Sequence, residues 1–345
     1  MTPLSEKPER RRDRSGLYFK VALACLLAIL FFLSLFLGRG GHFLFSELNA
    51  VAQDDAELAW IILTDIRLPR SLLALCIGAS LGLSGAALQG LLRNPLAEPG
   101  LVGVSSGAAL GAVVVFYFGL ASTHALILPL GGMAGAAGAL LLLFALAGRD
   151  PDVGTLILAG VAIAAVGGAL SALALNFAPS PYAALEIVFW MLGSLADRSM
   201  EHVRLALPFM LAGIVLVGAA ARGLDALALG EDTAQSLGFS QGRIKLLVIV
   251  GTGLSVGASV SVAGAISFVG LVVPHLIRPV IGHVPSRGLL TSALGGAAML
   301  LTADLIVRLF SPAQELKIGV VTALVGAPFL IYLLHKARKS GAVMS

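Results

Sequence analysis

Charge is what this sequence has least of. Aspartate, glutamate, lysine and arginine make up 12% of its 345 residues, about half the share found in soluble domains. A chain so poor in charge does not fold by wrapping an apolar core in a polar surface. Cysteine is nearly absent. Cys25 and Cys76 both fall inside apolar runs and read as small core residues, not as a disulfide or metal pair. The six histidines are scattered without ligand spacing and no H-E-x-x-H occurs, so no metal or cofactor is expected and a membrane-embedded protease has little support. No lysine stands in G-x-x-x-x-G-K-[ST], so the chain cannot cradle nucleotide phosphates by that motif. Carboxylates inside apolar runs, the coupling groups of ion-driven carriers, are almost missing; Asp304 is the main candidate. The formal charge of +4 points to no nucleic-acid partner; its meaning lies in which loops carry it.

What remains is apolar. The chain is 58% hydrophobic with a mean hydropathy of +0.96, and no polar stretch is long enough to bury a core of its own. The pattern predicts an all-α, polytopic membrane bundle of about ten spans. These lie near 17–37, 68–92, from 103 onward, 124–147, 153–177, 203–221, 244–262, 266–283, 289–309 and 318–335. The first could be mistaken for a secretory signal, but its apolar part is too long and no small-residue cleavage site follows cleanly. Residues 1–16 read as a disordered polar tail, 17–339 as the membrane domain with a polar loop at 222–243, and 340–345 as a second tail. Residues 38–66 form a polar excursion with a short surface helix. Residues 178–202 form an interfacial loop whose Trp190 reads as an aromatic anchor. With both termini cytoplasmic, the inner segments carry 16 of the 23 lysines and arginines and the outer ones 7, which supports that orientation.

Gly78, Gly82 and Gly85 recur at helical spacing before a polar hinge, Arg93 to Gly100, and Gly103, Gly107 and Gly111 recur after it. Such small residues let helix backbones approach closely in lipid, and structural packing is their expected role. The hinge holds Pro95 and Pro99, which cannot continue a regular helix, and Asn94 and Glu98, which are costly in hydrocarbon. It must lie at a membrane surface or beside a protein-walled cavity. At the other side of the membrane stand Arg67 and Arg70, and Arg308 ends the ninth span. Interfacial snorkelling accounts for such arginines, as does a pair between Arg308 and Asp304 one turn earlier. In the loop after the sixth span, Gly230 can start a short helix with Glu231 and Asp232 in its first turn, and Gly238 can stop it. His275, beside Pro274 near the inner surface, is expected to be hydrogen-bonded near a helix end, although a ligand or proton-handling role suits the residue type.

RLPR at 67–70, QGLLRNPLAEPGLVGVSSGA at 89–108, LDALALGEDTAQSLGFSQGR at 224–243, GAISFVGLVVPHLIRPVIGH at 264–283 and the closing AQELKIGVVTALVGAPFLIYLLHKAR together resemble the permease subunits of bacterial ABC importers for ferric siderophores, haem and vitamin B12. The resemblance covers most of the chain beyond residue 60. It implies a transport subunit of the inner membrane without catalysis of its own, working with two copies of an ATP-binding subunit. A periplasmic or lipid-anchored binding protein, and a second copy of the chain or a related permease, would complete the assembly within membrane lipid. By the same resemblance Arg67, Arg70 and Arg308 would dock the binding protein. Asn94 and Leu96, with Val153 and Gly154, would form the cytoplasmic gate, and Glu231, Ala234, Leu237 and Gly238 would sit at the surface docking the ATPase. An iron chelate is the implied cargo, ferric siderophore first, with haem and cobalamin behind. An ion-gradient-driven secondary transporter is the alternative, and a scaffold without flux a further one.

Overall fold

The computed structural model describes residues 6–38, 56–148, 151–282, 284–310 and 316–339. Among these the regular elements are helices. Helix α1 is Glu6–Phe36, and α2 (Ala56–Ile61) runs through one π turn, Ile62–Arg67, into α3 (Leu68–Leu91). The hinge leads by a 3-10 turn, Pro99–Val102, to α4 (Val104–Tyr117), followed by α5 (Ile127–Ala147), α6 (Val153–Asn176) and α7 (Pro181–Met191). Then come α8 (Met200–Ala219), α9 (Ala221–Ala228), α10 (Glu231–Ser236), α11 (Gln241–Ala263), α12 (Val269–Ile281), α13 (Pro285–Phe310) and α14 (Ile318–Lys339).

Seven of the described helices are long and apolar enough to cross a membrane: α1, α3, α5, α6, α8, α11 and α13. The shorter α4, α12 and α14 complete the ten expected spans, and α7 is the short helix of the 178–202 loop. Helix ends are set by the local sequence. Asp152 caps α6, its carboxylate accepting from the Thr155 N–H at 2.7 Å and the Thr155 hydroxyl at 3.0 Å. Those two bonds hold the exposed carboxyl below its ordinary range. Ser180 caps α7, whose first residue is Pro181, and Ser240 caps α11.

Helices α3 and α11 are mostly buried, whereas α1 lies at the edge. The small residues account for the arrangement. A Cβ on Gly78 or Gly82 would overlap the carbonyl oxygen of Gly296 or Ser292 on α13, and one on Gly85 would overlap the Gly270 oxygen on α12. Gly107 and Gly111 meet Gly131 and Gly135 between α4 and α5 in the same way, and Gly213 meets Gly251 between α8 and α11. Water cannot drive apolar association within lipid, so this backbone proximity, through dispersion, holds the helices together. Several buried serines bond within the bundle: Ser255 and Ser259 donate to the carbonyls of Gly251 and Ser255, and Ser34 shares a 2.6 Å bond with Ser71.

One feature departs from simple spanning helices. Gly270, at the start of α12, packs on Pro99 and on Leu81 midway along α3, so α12 begins within the bundle. Glu98 lies beside the Phe268 backbone that precedes α12. Non-helical backbone at membrane depth survives only where protein surrounds it; here Pro99 and α3 surround it.

Two sequence expectations change. Residues 6–16 continue α1 as helix and are not a disordered tail; Pro8 falls in the first turn, where proline is tolerated, and no glycine follows until Gly16. Trp190 is buried and packs against Gly264, so protein covers the residue read as an interfacial anchor. The tail at 340–345 and most of the excursion before Ala56 lie outside the described residues.

Gly82→Leu forces backbone apart at the α3–α13 seam and is expected to cost about 1–3 kcal/mol or more. Gly138, whose Cβ position is open, serves as control. Thermal unfolding in detergent should show a lowered midpoint or loss of folded protein for Gly82→Leu and none for Gly138→Ala.

Candidate functional site

The residues singled out in the sequence gather at the two ends of the bundle. At one end, Asp304 is 0% exposed and is held by two arginines. Arg70 donates from Nε and approaches with Nη2, both at 2.8 Å, and Arg308 pairs with it from one turn later on α13. Arg308, 3% exposed, also donates to the carbonyls of Ser34 at 2.7 Å and Leu37 at 3.1 Å, while Arg67 donates to those of Phe36 at 2.7 Å and Leu35 at 3.2 Å. The final carbonyls of a helix have no partner within it. Here two guanidiniums supply them and fix the end of a helix that buries little else. Of the readings open for Arg308, the pair with Asp304 is present, and Arg70 joins it. These arginines also line a cavity of about 510 Å³ together with Asp65, Asp197 and Arg198; nothing in the local sequence pattern pointed to the last two.

At the other end, α3 stops at Leu91 and Arg93 takes a left-handed conformation, φ 49°. The Asn94 side chain accepts from the Leu96 N–H at 2.9 Å, and Ala97 N–H donates to the Asn94 carbonyl at 3.1 Å. Asn94 thus holds the turn, and Leu96 is left 40% exposed. The hinge then packs back against α6, where Gly160 meets the Leu101 carbonyl. Val153 and the exposed Gly154 form the first turn of α6.

The loop after α8 forms the short helix expected of it. Gly230 (φ 120°) precedes Glu231 and Gly238 (φ 83°) follows Leu237, backbone angles that favour glycine. Glu231, Leu237 (59% exposed) and Gly238 face outward, but Ala234 is 0% exposed. Ala234 is therefore the inward side of α10. A six-residue helix against the bundle must turn one side in, and the smallest residue takes that side.

Two bonds that no local pattern announces link these parts. Arg93 Nη2 donates to the Leu227 carbonyl on α9 at 2.7 Å. Lys245 Nζ, on the first turns of α11, donates to the Pro151 carbonyl just before Val153 at 2.8 Å. Each flank of the α9–α10 loop thus holds one of the two segments read as the gate. His275 differs from expectation: its ring lies edge-on to Phe329 at 5.7 Å and its Nδ1 is buried without a hydrogen-bond partner.

The residues singled out thus lie on a polytopic bundle with a kinked polar hinge and a surface helix tied to it. The chain belongs to the FecCD transport family, whose model matches residues 26–336. It is 37% identical over 333 residues to the vitamin B12 import system permease BtuC of Salmonella arizonae, covering 96% of this chain and 98% of that protein. It is 41% identical over 298 residues to the uncharacterised ABC transporter permease YvrB of Bacillus subtilis, covering 85% and 84%. With the cobalamin permease BtuC of Halobacterium salinarum it shares 41% over 283 residues, 81% of this chain and 74% of that one. A solved inward-facing structure assigned to the metal-chelate type of ABC transporter superposes with TM-score 0.80 at 32% identity, covering 93% of this chain and 99% of that one. The chain is a type II ABC importer permease, and ATP hydrolysis belongs to a separate subunit. The ion-driven alternative falls, and its one candidate carboxylate, Asp304, is locked between arginines.

Asp304→Ala leaves two buried guanidiniums without their counter-charge, a change that costs about 3–5 kcal/mol. Size-exclusion profiles and thermal unfolding in detergent should show Asp304→Ala as severely destabilised. A fully stable Asp304→Ala would contradict a structural role for the cluster.

Proposed function

We propose that the chain imports a metal chelate delivered by a binding protein, with the arginine end outside and the hinge end cytoplasmic. The excess of lysine and arginine in the segments at the hinge end supports this orientation, which puts both termini in the cytoplasm. The binding protein docks at the outer end beside the cavity lined by Asp65, Arg70 and Arg198. Because Arg67, Arg70 and Arg308 are all committed to α1 or Asp304, their part in docking is to shape that surface, and Arg70, the most exposed of the three, meets the binding protein only with the edge of its guanidinium that Asp304 leaves open. A second copy, or a related permease, completes the path.

The observation that carries the coupling mechanism is the pair of tethers from Arg93 to Leu227 and from Lys245 to Pro151. The ATPase docks on Glu231, Leu237 and Gly238, the outward face of α10. When nucleotide binding moves α9 and α10, the tethers carry the hinge and the α6 start with them, so Asn94, Leu96, Val153 and Gly154 part or close as a set. Packed elements of this kind switch between discrete arrangements. The cargo is a corrinoid or a ferric siderophore, with haem third. The relatives named for a cargo are cobalamin permeases, which moves the corrinoid ahead of the siderophore that family frequency put first.

Reconstitution with the ATPase and binding protein in liposomes tests this. Leu237→Asp should lose the co-purifying ATPase. Arg93→Ala should keep the ATPase bound yet lower chelate uptake per ATP by several-fold, and Leu96→Ala should raise leak of chelate without ATP. Uptake per ATP unchanged in both Arg93→Ala and Lys245→Met would remove the tethers from the mechanism.

A further inference from the structure

Helix α13 starts beside α9 at the hinge end and finishes in the arginine cluster at the other. Its first residue is Pro285, whose missing N–H costs nothing at that position. Val284 before it has no polar side chain with which to satisfy the donors that follow. The cap comes from another helix. The Asp225 carboxylate on α9, 61 positions away, accepts from the Ser286 N–H at 2.8 Å. A charged acceptor at a helix N-terminus makes a strong bond and meets the positive end of the dipole.

The same short helix holds the hinge, since Leu227, whose carbonyl takes the Arg93 bond, lies two residues after Asp225. The three parts also touch. A Cβ on Gly90, in the last turn of α3, would lie 3.5 Å from Pro285 and 3.9 Å from the buried Leu224 of α9. From this junction α13 runs unbroken to Phe310 with no proline after its first residue, about 39 Å at 1.5 Å per residue. Its middle is clamped to α3 at Ser292 and Gly296, and its last turns carry Asp304 and Arg308. Such a packed rod passes a displacement of one end to the other, because protein interiors compress little.

We propose that Asp225 is a positioning residue for transport, fixing α13 to α9 so that movement of the coupling helices on nucleotide binding reaches the outer docking surface. The partners at the two ends come from the importer reading, on which this role rests. Asp304 and Arg308 shift with the last turns of α13, and Arg70 and the end of α1 follow through their bonds to them. The Arg93 tether serves the gate, and the Asp225 tether serves the binding protein. Without the cap, α13 keeps its seam with α3 and its outer cluster, but its first turns no longer follow α9. Linkage makes the effect reciprocal: nucleotide alters the affinity for binding protein, and binding protein alters the affinity for nucleotide.

The test is the affinity of the binding protein for the permease–ATPase complex in nanodiscs, without nucleotide and with AMP-PNP. In the unsubstituted complex the nucleotide should change that affinity about fivefold or more. Asp225→Ala should cut the change to about twofold or less, with the ATPase still co-purifying and the nucleotide-free affinity kept. Asp225→Asn, which retains an acceptor for the Ser286 N–H, should restore most of the response. A full response in Asp225→Ala would overturn the proposal, and so would an equal loss of affinity in both states, which marks the cap as structural alone. Spin labels on the exposed Leu309→Cys, with Asp225 in place and Cys25 and Cys76 replaced, give a check that no unfolded variant can spoil. Their distance across the permease pair should change on adding AMP-PNP, and a static distance overturns the role of α13. An unsubstituted complex that captures no binding protein in either state would remove the importer reading itself, and this role with it.

Discussion

The backbone contact between α3 and α13 is the constraint on which the rest depends. Gly78 and Gly82 lie so close to Gly296 and Ser292 that no side chain fits between, and this fixes where both ends of α3 fall. One end then carries Arg67 and Arg70 to the last turn of α13, and the other carries the hinge to α9 and α12. In lipid the apolar side chains supply no hydrophobic drive, so geometry at this seam substitutes for it. The same seam buries α3 on nearly every side, which leaves the hinge as the place where its motion can be expressed.

Unsatisfied polar groups explain much of what surrounds that seam. Lipid offers no hydrogen bonds, so the final carbonyls of α1 take theirs from Arg67 and Arg308, and the guanidiniums in turn need Asp304 close by. Charged residues that look functional in such a protein are first of all the means by which interrupted helices remain in the membrane.

Much of this was legible from sequence, and the limits have a physical pattern. Glycines at helical spacing announced the α3 seam, because close packing in lipid leaves few other uses for them. Pro95, Pro99, Gly230 and Gly238 marked the hinge and the bounds of α10 through backbone geometry alone. The Arg308–Asp304 pair was visible as neighbours one turn apart. What stayed hidden were bonds between distant segments: Arg70 lies 234 positions from Asp304, Arg93 134 from Leu227, and Lys245 94 from Pro151. A residue whose surroundings decide its role was also misread: Trp190 carries the same aromatic signature whether lipid or protein covers it. Cargo is the least legible property, since no motif in the sequence records a contact with it.

The central claim is that the hinge and the coupling helices move as one body. Its most direct test is a distance between spin labels on Leu96→Cys and Gln235→Cys, with Cys25 and Cys76 replaced, in the reconstituted importer with and without nucleotide. The label-to-label distance within one permease should stay constant between nucleotide states while the distance between the two Leu96→Cys sites across the permease pair changes. A change in the Leu96–Gln235 distance on ATP binding, with the hinge pair static, would contradict the account.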